Sequence, residues 1–273
     1  MSESASLPIG VFDSGLGGLT VVRELVERLP NESIVYFGDT ARVPYGPKSA
    51  RTVQRYAREA ADFLQSRQVK LLVIACNTAT AHAYDTLSES LEIPVIGVIE
   101  PGARAAAAAT MTQRIGVIGT AGTIRSGAYD YAVRHRLPDA RVYAQPCPLF
   151  VPIVEEGFAT HEVARLTARE YLTPLTEVDV DVLVLGCTHY PLLRDVIAEV
   201  MGPAVTLVDS AAETARDVER MLLEQNLINT AAPVRHSFFS SDSPLRFREV
   251  AHRFVGNLVA EVERVEIERH DQA

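Results

Sequence analysis

The chain has 273 residues, of which 47% are hydrophobic and 22% charged, as expected for a folded protein of one large or two medium domains. Its formal net charge of -9 argues against nucleic acid or an anionic membrane as the main partner, because both are polyanions. No apolar run approaches the roughly 18 residues of a membrane span, and the amino terminus lacks the pattern of a signal peptide. We therefore expect a cytoplasmic protein with free thiols at Cys76, Cys147 and Cys187.

Four short apolar runs rich in β-branched residues open the chain. They occupy residues 8–13, 33–39, 70–76 and 94–100. Between them lie segments with apolar residues at three- and four-residue spacing, such as 19–29 and 50–67, which is the helical period. This strand–helix alternation predicts a parallel sheet flanked by helices.

The same order of runs is then repeated. The second set occupies residues 114–119, 140–147, 180–187 and 204–210. The third run of each set ends in a cysteine, Cys76 or Cys187, and the fourth ends in or beside an acid, Glu100 or Asp209. We predict two pseudo-symmetric α/β domains, each a mainly parallel sheet flanked by helices, with the active site in the cleft between them.

A domain junction is predicted near the Pro-Gly pair at 101–102, which precedes a helix-forming run of alanines. After Asp209 come an amphipathic segment at 211–226, a strand-like run at 234–240 and a helix from about Pro244. We predict that residues 1–99 and 212–273 form the first domain and residues 100–211 the second.

Polar residues follow the predicted strands at their carboxyl ends. Open α/β sheets bind their ligands at these ends. They are Asp13-Ser14, Asp39, Cys76-Asn77-Thr78, Cys187-Thr188-His189 and Asp209-Ser210. If the two halves face each other, Cys76 and Cys187 approach one cleft from opposite sides. Cys147, between two prolines, is interpreted as structural.

Each matched cysteine precedes a predicted helix, with Asn77 or Thr78 in one case and Thr188 in the other as the expected N-cap. The positive end of each helix should lower the pKa of the thiol and bind a carboxylate. Two thiols on opposite faces of one carbon suit inversion of a stereocentre, in which one removes a proton and the other delivers one.

The two lysines of the chain, Lys48 and Lys70, lack the surroundings of a pyridoxal Schiff base. A route without a cofactor, stabilised by helix ends and hydrogen bonds, is therefore favoured.

Seven segments together resemble the glutamate racemases of the aspartate/glutamate racemase superfamily, over about residues 8 to 211. They read GVFDSGLGGLTVVREL, YFGDTARVPYG, VIACNTATA, IGVIGTAGTIRSGAY, CPLFVPIVEEG, LGCTHYPLL and LVDSA. The resemblance implies interconversion of L- and D-glutamate without cofactor or metal. It further implies a role in peptidoglycan synthesis, cell-wall biogenesis and cell shape, with a homodimer as the expected assembly.

The resemblance also implies roles for individual residues. Cys76 and Cys187 correspond to thiols that deprotonate D- and L-glutamate respectively, and Asp13 to an acid that assists the first. His189 corresponds to a residue that assists Cys187, and Glu155 to the acid that orients His189, although Glu156 beside it is an alternative. The residues expected to bind substrate are Asp13, Ser14, Tyr45, Gly46, Asn77, Thr78, Thr188 and His189.

Three other interpretations stay open. The GLGGLT segment at 15–20, with Asp39 about twenty residues further on, imitates a dinucleotide-binding fingerprint but has Thr20 in place of the third glycine. A metal site could use the two matched cysteines and His189, but it lacks close ligand pairs such as Cys-x-x-Cys. A racemase for aspartate or another amino acid is the nearest alternative, since one methylene is worth only about 1–3 kcal/mol of discrimination.

Overall fold

All nine predicted strands form, and they lie in two sheets. The structure is a computed structural model that describes residues 3–230 and 233–267. The first sheet contains β1 (Ile9–Asp13), β2 (Ile34–Gly38), β3 (Leu71–Ile74), β4 (Val95–Gly97), β9 (His236–Ser240) and β10 (Glu263–Arg264). The second contains β5 (Arg114–Gly119), β6 (Arg141–Pro146), β7 (Val182–Gly186) and β8 (Thr206–Asp209).

The two sheets have the same topology. The strand order is β10-β9-β2-β1-β3-β4 in the first sheet and β6-β5-β7-β8 in the second, so the first four strands of each set follow one order. Each pairing within the described residues is parallel. The predicted fold class of two similar α/β halves with parallel sheets is confirmed.

Helices connect the strands and cover the sheets. They are α1 (Leu19–Arg28), α2 (Ala50–Ser66), α3 (Asn77–Ser90), α4 (Ile99–Ala109), α5 (Ala121–Ser126), α6 (Ala128–Arg136), α7 (Phe150–Glu155), α8 (Glu162–Thr176), α9 (Arg194–Met201), α10 (Ser210–Glu224) and α11 (Pro244–Val255). Strands β1, β2, β3 and β7 are buried along their whole length, as expected where helices cover both faces of a parallel sheet. Among the helices of residues 3–230 and 233–267, none combines the length and the hydrophobicity that a membrane span requires.

The predicted correspondence between Glu100 and Asp209 is wrong. Strand β4 ends at Gly97 and helix α4 begins at Ile99, so Glu100 is an exposed residue of the first helical turn that pairs with Arg136. Asp209 instead ends β8 and caps α10 by accepting a hydrogen bond from the Ala211 N–H at 2.8 Å. Pro101 is accommodated inside α4 because the first turn of a helix does not need its N–H.

One apolar core joins the two halves. It includes Val73 of β3, Leu185 of β7, Leu25 of α1 and Leu222 of α10, and each of these side chains is almost completely buried. Helix α10 packs against both α1 and α4. The relative position of the halves is therefore fixed by packed side chains.

After α10 the chain returns to the first sheet, where β9 pairs with β2 and β10 with β9. We propose the domain division 1–99 with 212–273, and 100–211, because β5 to β8 form a sheet of their own. Residues 1–2, 231–232 and 268–273 of that division lie outside the described residues.

A buried ion pair fastens the amino-terminal edge of the first sheet. Lys70 Nζ donates to Glu32 Oε2 at 2.6 Å and to the carbonyl oxygens of Ala5 and Leu227 at 2.7 and 2.8 Å. Glu32 Oε1 accepts from the Asn229 N–H at 2.8 Å. The pair thus links the first residues of the chain to the connection that leads back to β9.

We predict that Lys70→Met lowers the free energy of unfolding by about 3–5 kcal/mol, because it leaves the buried Glu32 carboxylate without its counter-ion. Lys48→Met is the matched control, and its cost should be below about 0.5 kcal/mol since Lys48 is partly exposed. Urea denaturation of both variants measures the difference. Equal stability of the two variants would contradict the prediction.

Candidate active site

A cavity of about 430 Å³ lies between the two halves at the carboxyl ends of the strands. Its volume is in the range of small-molecule sites. All the predicted site residues line it: Asp13, Ser14, Tyr45, Gly46, Cys76, Asn77, Thr78, Glu155, Cys187, Thr188 and His189. The cavity therefore joins Cys76 from one half and Cys187 from the other.

Cys76 lies at the start of α3, two residues after β3 ends. The Cys76 sulfur itself is the N-cap: it accepts a hydrogen bond from the Ala79 N–H at 3.4 Å. Its own S–H donates to Ser14 Oγ at 3.5 Å. The prediction that Asn77 or Thr78 caps this helix is wrong, because both lie inside its first turn.

The expected lowering of the Cys76 pKa is also wrong. Burial raises the pKa of this thiol to about 12, and the nearby Asp13 carboxylate adds to the rise. The hydrogen bonds from Ala79 and Ser14 oppose the rise without cancelling it. At Cys76, removal of the thiol from water thus outweighs the effect of the helix end.

Asp13 is the last residue of β1 and is 1% exposed. Its Oδ1 accepts a hydrogen bond from the Gly15 N–H at 2.8 Å. Burial raises the pKa of Asp13, while the charge of His189 and the Gly15 and Gly18 N–H groups work in the opposite direction. The site thus has a buried carboxyl group beside the first thiol.

Cys187 follows β7 directly and is joined to a histidine and a carboxylate. His189 Nδ1 lies 3.9 Å from Cys187 Sγ, and His189 Nε2 lies 2.9 Å from Glu155 Oε1. The acid is thus Glu155, whereas Glu156 is exposed and pairs with Arg246 at 3.1 Å. This geometry decides between the two glutamates that the sequence left open.

The histidine and its acid form a buried ion pair. Burial by itself lowers the pKa of His189, but the hydrogen bonds to Cys187 and Glu155 outweigh it and raise the pKa to about 10. Burial by itself raises the pKa of Glu155, but the bond to His189 holds it below its usual range. At neutral pH, His189 therefore carries a proton within reach of the Cys187 sulfur.

Thr188 does not cap a helix. The residues after β7 form a turn, then a 3-10 helix at Tyr190–Leu193, and only then α9. The Thr188 carbonyl oxygen instead accepts a hydrogen bond from the Thr20 hydroxyl at 3.2 Å. This contact ties the Cys187 segment to the start of α1.

The turn around Tyr45 is held in place by hydrogen bonds to Asp39. Tyr45 is 1% exposed, and its hydroxyl donates to Asp39 Oδ2 at 2.5 Å. Asp39 also accepts from Arg42 Nε at 2.6 Å, so it positions this turn. A Cβ on Gly46 would lie 2.9 Å from Thr120 Cβ of the other half, which explains the glycine.

The glycine-rich segment packs closely against both halves: Gly17 faces the other half and Gly18 faces its own. A Cβ on Gly17 would overlap the Thr188 hydroxyl and lie 2.5 Å from His189 Nδ1. A Cβ on Gly18 would lie 2.6 Å from Asp13 Cβ. This close packing accounts for the glycines and weighs against a dinucleotide site.

Sequence reasoning missed part of the cavity wall. Thr120 lines it and forms a hydroxyl cluster with Thr78 and Thr123, at 2.8 Å from Thr78 Oγ1. The GTAGT segment that follows β5 is the signal that could have identified it, since β5 corresponds to β1. The apolar wall formed by Pro148, Val151 and Pro152 has no comparable local signal.

Helix α11 also contacts the site, through Phe254 and His189. The sequence did not indicate this contact. The Phe254 ring packs edge-on against His189, with ring centroids 5.5 Å apart. Elsewhere in the described residues, as here, no group of three His, Cys, Asp or Glu side chains is placed to hold a metal ion.

Comparison with known proteins identifies the family. Residues 9–218 match the family described as Asp/Glu/Hydantoin racemase. The glutamate racemase of Geobacter metallireducens is 56% identical over 261 residues, which is 95% of this chain and 97% of that protein. The chain therefore belongs to the Asp/Glu/Hydantoin racemase family, and the resemblance seen in the sequence is confirmed.

Two solved structures share the whole fold. A glutamate racemase isoform from Bacillus anthracis has a TM-score of 0.91 at 41% identity, covering 96% of this chain and 97% of that one. The glutamate racemase from Francisella tularensis in complex with D-glutamate has a TM-score of 0.89 at 41% identity, covering 98% and 99%.

The raised pKa of Cys76 predicts slow alkylation in the absence of substrate. A pKa of about 12 leaves Cys76 protonated near neutral pH, so its reaction rate with iodoacetamide should rise about tenfold per pH unit from pH 7 to 9.5. Free cysteine, whose rate levels off above about pH 8.5, is the reference. Peptide mass spectrometry measures modification at Cys76, and a plateau below pH 9 would contradict the raised pKa.

Proposed function

We propose that this protein interconverts L- and D-glutamate by a two-base mechanism that uses no cofactor. The observation that carries the proposal is that Cys76 and Cys187, at equivalent positions of two similar halves, line one cavity. Two thiols that enter from opposite halves are what proton transfer at both faces of a single carbon needs. Membership of the racemase family supports the same reaction.

In the proposed reaction, Cys76 removes the α-proton of D-glutamate and Cys187 delivers a proton to the opposite face. L-glutamate reacts in the reverse sense. Asp13, whose pKa burial raises, is a suitable acceptor for the Cys76 proton. The ammonium group of the substrate offsets the negative charge that then develops beside Cys76.

On the other side, His189 Nδ1 lies 3.9 Å from Cys187 Sγ and acts as its proton donor, and Glu155 keeps the histidine charged and oriented. Glu155 is therefore assigned as a positioning residue whose effect passes through His189. Protonated His189 stabilises negative charge in a cavity with largely apolar walls, where such interactions are strong.

We assign substrate binding to the polar residues at the cavity wall. They are Ser14, Tyr45, Gly46, Asn77, Thr78, Thr188 and His189, with Asp13 beside the reacting carbon. The N–H groups of Asn77 and Thr78, at the start of α3, suit a carboxylate. Neither lysine lines the cavity, which favours a route without a pyridoxal Schiff base.

The alternative substrate is aspartate or another amino acid. The cavity of about 430 Å³ has room for glutamate and for its shorter analogue, so its volume does not discriminate. Glutamate is favoured because the similar proteins named above are glutamate racemases. Polarimetric assays with D-glutamate and D-aspartate, without added cofactor, distinguish the two.

The wider role follows the same proposal. D-glutamate made by this enzyme would be supplied to peptidoglycan synthesis, and so to cell-wall biogenesis and cell shape, in the cytoplasm. A homodimer is the proposed assembly, and the charge of -9 disfavours nucleic acid as a partner.

The two-base mechanism predicts that Cys76→Ala and Cys187→Ala each lower the racemisation rate by at least about 10³-fold. Cys147→Ala is the matched control: this third cysteine is buried but does not line the cavity, so activity should be retained. In deuterium oxide, product from either enantiomer should carry deuterium at the α-carbon. Near wild-type turnover of either cavity variant would refute the mechanism.

The neighbouring glutamates provide a second test. Glu155→Gln removes a charge-assisted bond to His189 and should lower kcat/KM by about 10- to 100-fold. The loss should be equal in both directions, because the equilibrium constant between enantiomers is one. The His189 pKa falls without this carboxylate, so the alkaline limb of the pH profile should move to lower pH.

Glu156→Gln is the control for that variant, because the exposed Glu156 side chain pairs with Arg246. Its kcat/KM should stay within about twofold of the wild-type value. Identical profiles for the two variants would remove Glu155 from its assigned role.

A further inference from the structure

One buried donor at the cavity wall has no hydrogen-bond partner among the described residues. Asn77 is the first residue of α3 and is 3% exposed. Its Nδ2 is buried and, within the described residues, forms no hydrogen bond. Leaving such a group unpaired costs free energy, and since Asn77 lines the cavity, a ligand bound there is the natural acceptor.

The oxygen of the same Asn77 amide accepts a hydrogen bond from a residue of the opposite half. Tyr129, on α6, donates its hydroxyl to Asn77 Oδ1 at 2.7 Å. Tyr129 is itself 3% exposed, and Ser210 at the start of α10 acts on its hydroxyl to oppose the rise in pKa caused by burial. Burial raises the pKa of Tyr129, so the phenol stays protonated and remains a donor.

We propose that Tyr129 is a positioning residue for substrate binding: by donating to Asn77 Oδ1, it fixes the amide so that Nδ2 donates to a carboxylate of the bound amino acid. The inference rests on the proposed function and deepens it. The ammonium group of an amino acid is a donor only, so the carboxylates are the groups that can accept from Nδ2.

This arrangement links substrate binding to the contact between the halves. Asn77 belongs to the half that contains Cys76, whereas Tyr129 comes from the half that contains Cys187. Without the bond from Tyr129, the amide can rotate and present Oδ1 to the carboxylate, which repels it. Tyr129, the last residue of the segment IGVIGTAGTIRSGAY, is thereby assigned a functional role.

The test is the kinetics of Tyr129→Phe in the full chain, with glutamate as substrate. KM for both enantiomers should rise about three- to tenfold, while kcat changes less than about threefold, because the carboxylate is charged before and after proton removal. Tyr131→Phe is the control on the same helix, since the Tyr131 side chain is 74% exposed, and it should leave KM unchanged.

A double-mutant cycle separates positioning from general packing. If Tyr129 acts through Asn77, adding Tyr129→Phe to Asn77→Ala should cause no further rise in KM. An equal rise in both backgrounds, or an unchanged KM for Tyr129→Phe alone, would overturn the inference. Should Tyr129→Phe lower the thermal midpoint, its KM is measured at a temperature where circular dichroism shows the variant fully folded, and an unchanged KM there would still overturn the inference.

The wild-type enzyme is assayed first. Racemisation of glutamate by the wild type with an unaltered KM in Tyr129→Phe would refute the positioning role and leave the proposed function intact. Absence of glutamate racemisation in the wild type would refute both.

Discussion

The cavity depends on the close packing of Gly17 against Thr188 and His189. A side chain at Gly17 would overlap the Thr188 hydroxyl, so this contact can form only because position 17 has no Cβ. The Thr20 hydroxyl, which donates to the Thr188 carbonyl oxygen, joins the same two segments. Because Cys187 immediately precedes Thr188, this contact sets the position of the second thiol relative to the half that contains Cys76. Gly17 thus has an architectural role.

Burial is the second constraint, and it acts on the charged groups of the cavity in different ways. His189 and Glu155 are paired, so the histidine keeps its proton with a pKa of about 10. Cys76 has the Asp13 carboxylate as a neighbour, so burial and this charge together raise its pKa to about 12. The two thiols occupy equivalent positions in the two halves, yet their surroundings differ. A site with apolar walls strengthens both effects, since electrostatic interactions are strong where water is excluded.

The predictions that failed concern local geometry at strand ends. Thr188 has the composition of an N-cap, but the chain after β7 turns and enters a 3-10 helix at Tyr190, so no cap forms there. Asn77 likewise lies inside α3, because Cys76 adopts the extended backbone conformation of an N-cap with φ −74° and ψ 120°. The helix end was expected to govern the Cys76 pKa, but burial does so, and burial depends on packing that no local pattern reports.

The sequence by itself determined the two sets of strands, their repeated order and the equivalent positions of Cys76 and Cys187. Apolar periodicity is a local property, and parallel strands place their carboxyl ends at one edge, so the polar residues that follow them could be assigned to one site. Only the tertiary structure decided that Glu155 is the partner of His189, that Tyr129 and Phe254 reach the site, and that burial raises the pKa of Cys76. Each of these depends on distances between residues far apart in the chain, which packing sets and spacing along the sequence does not.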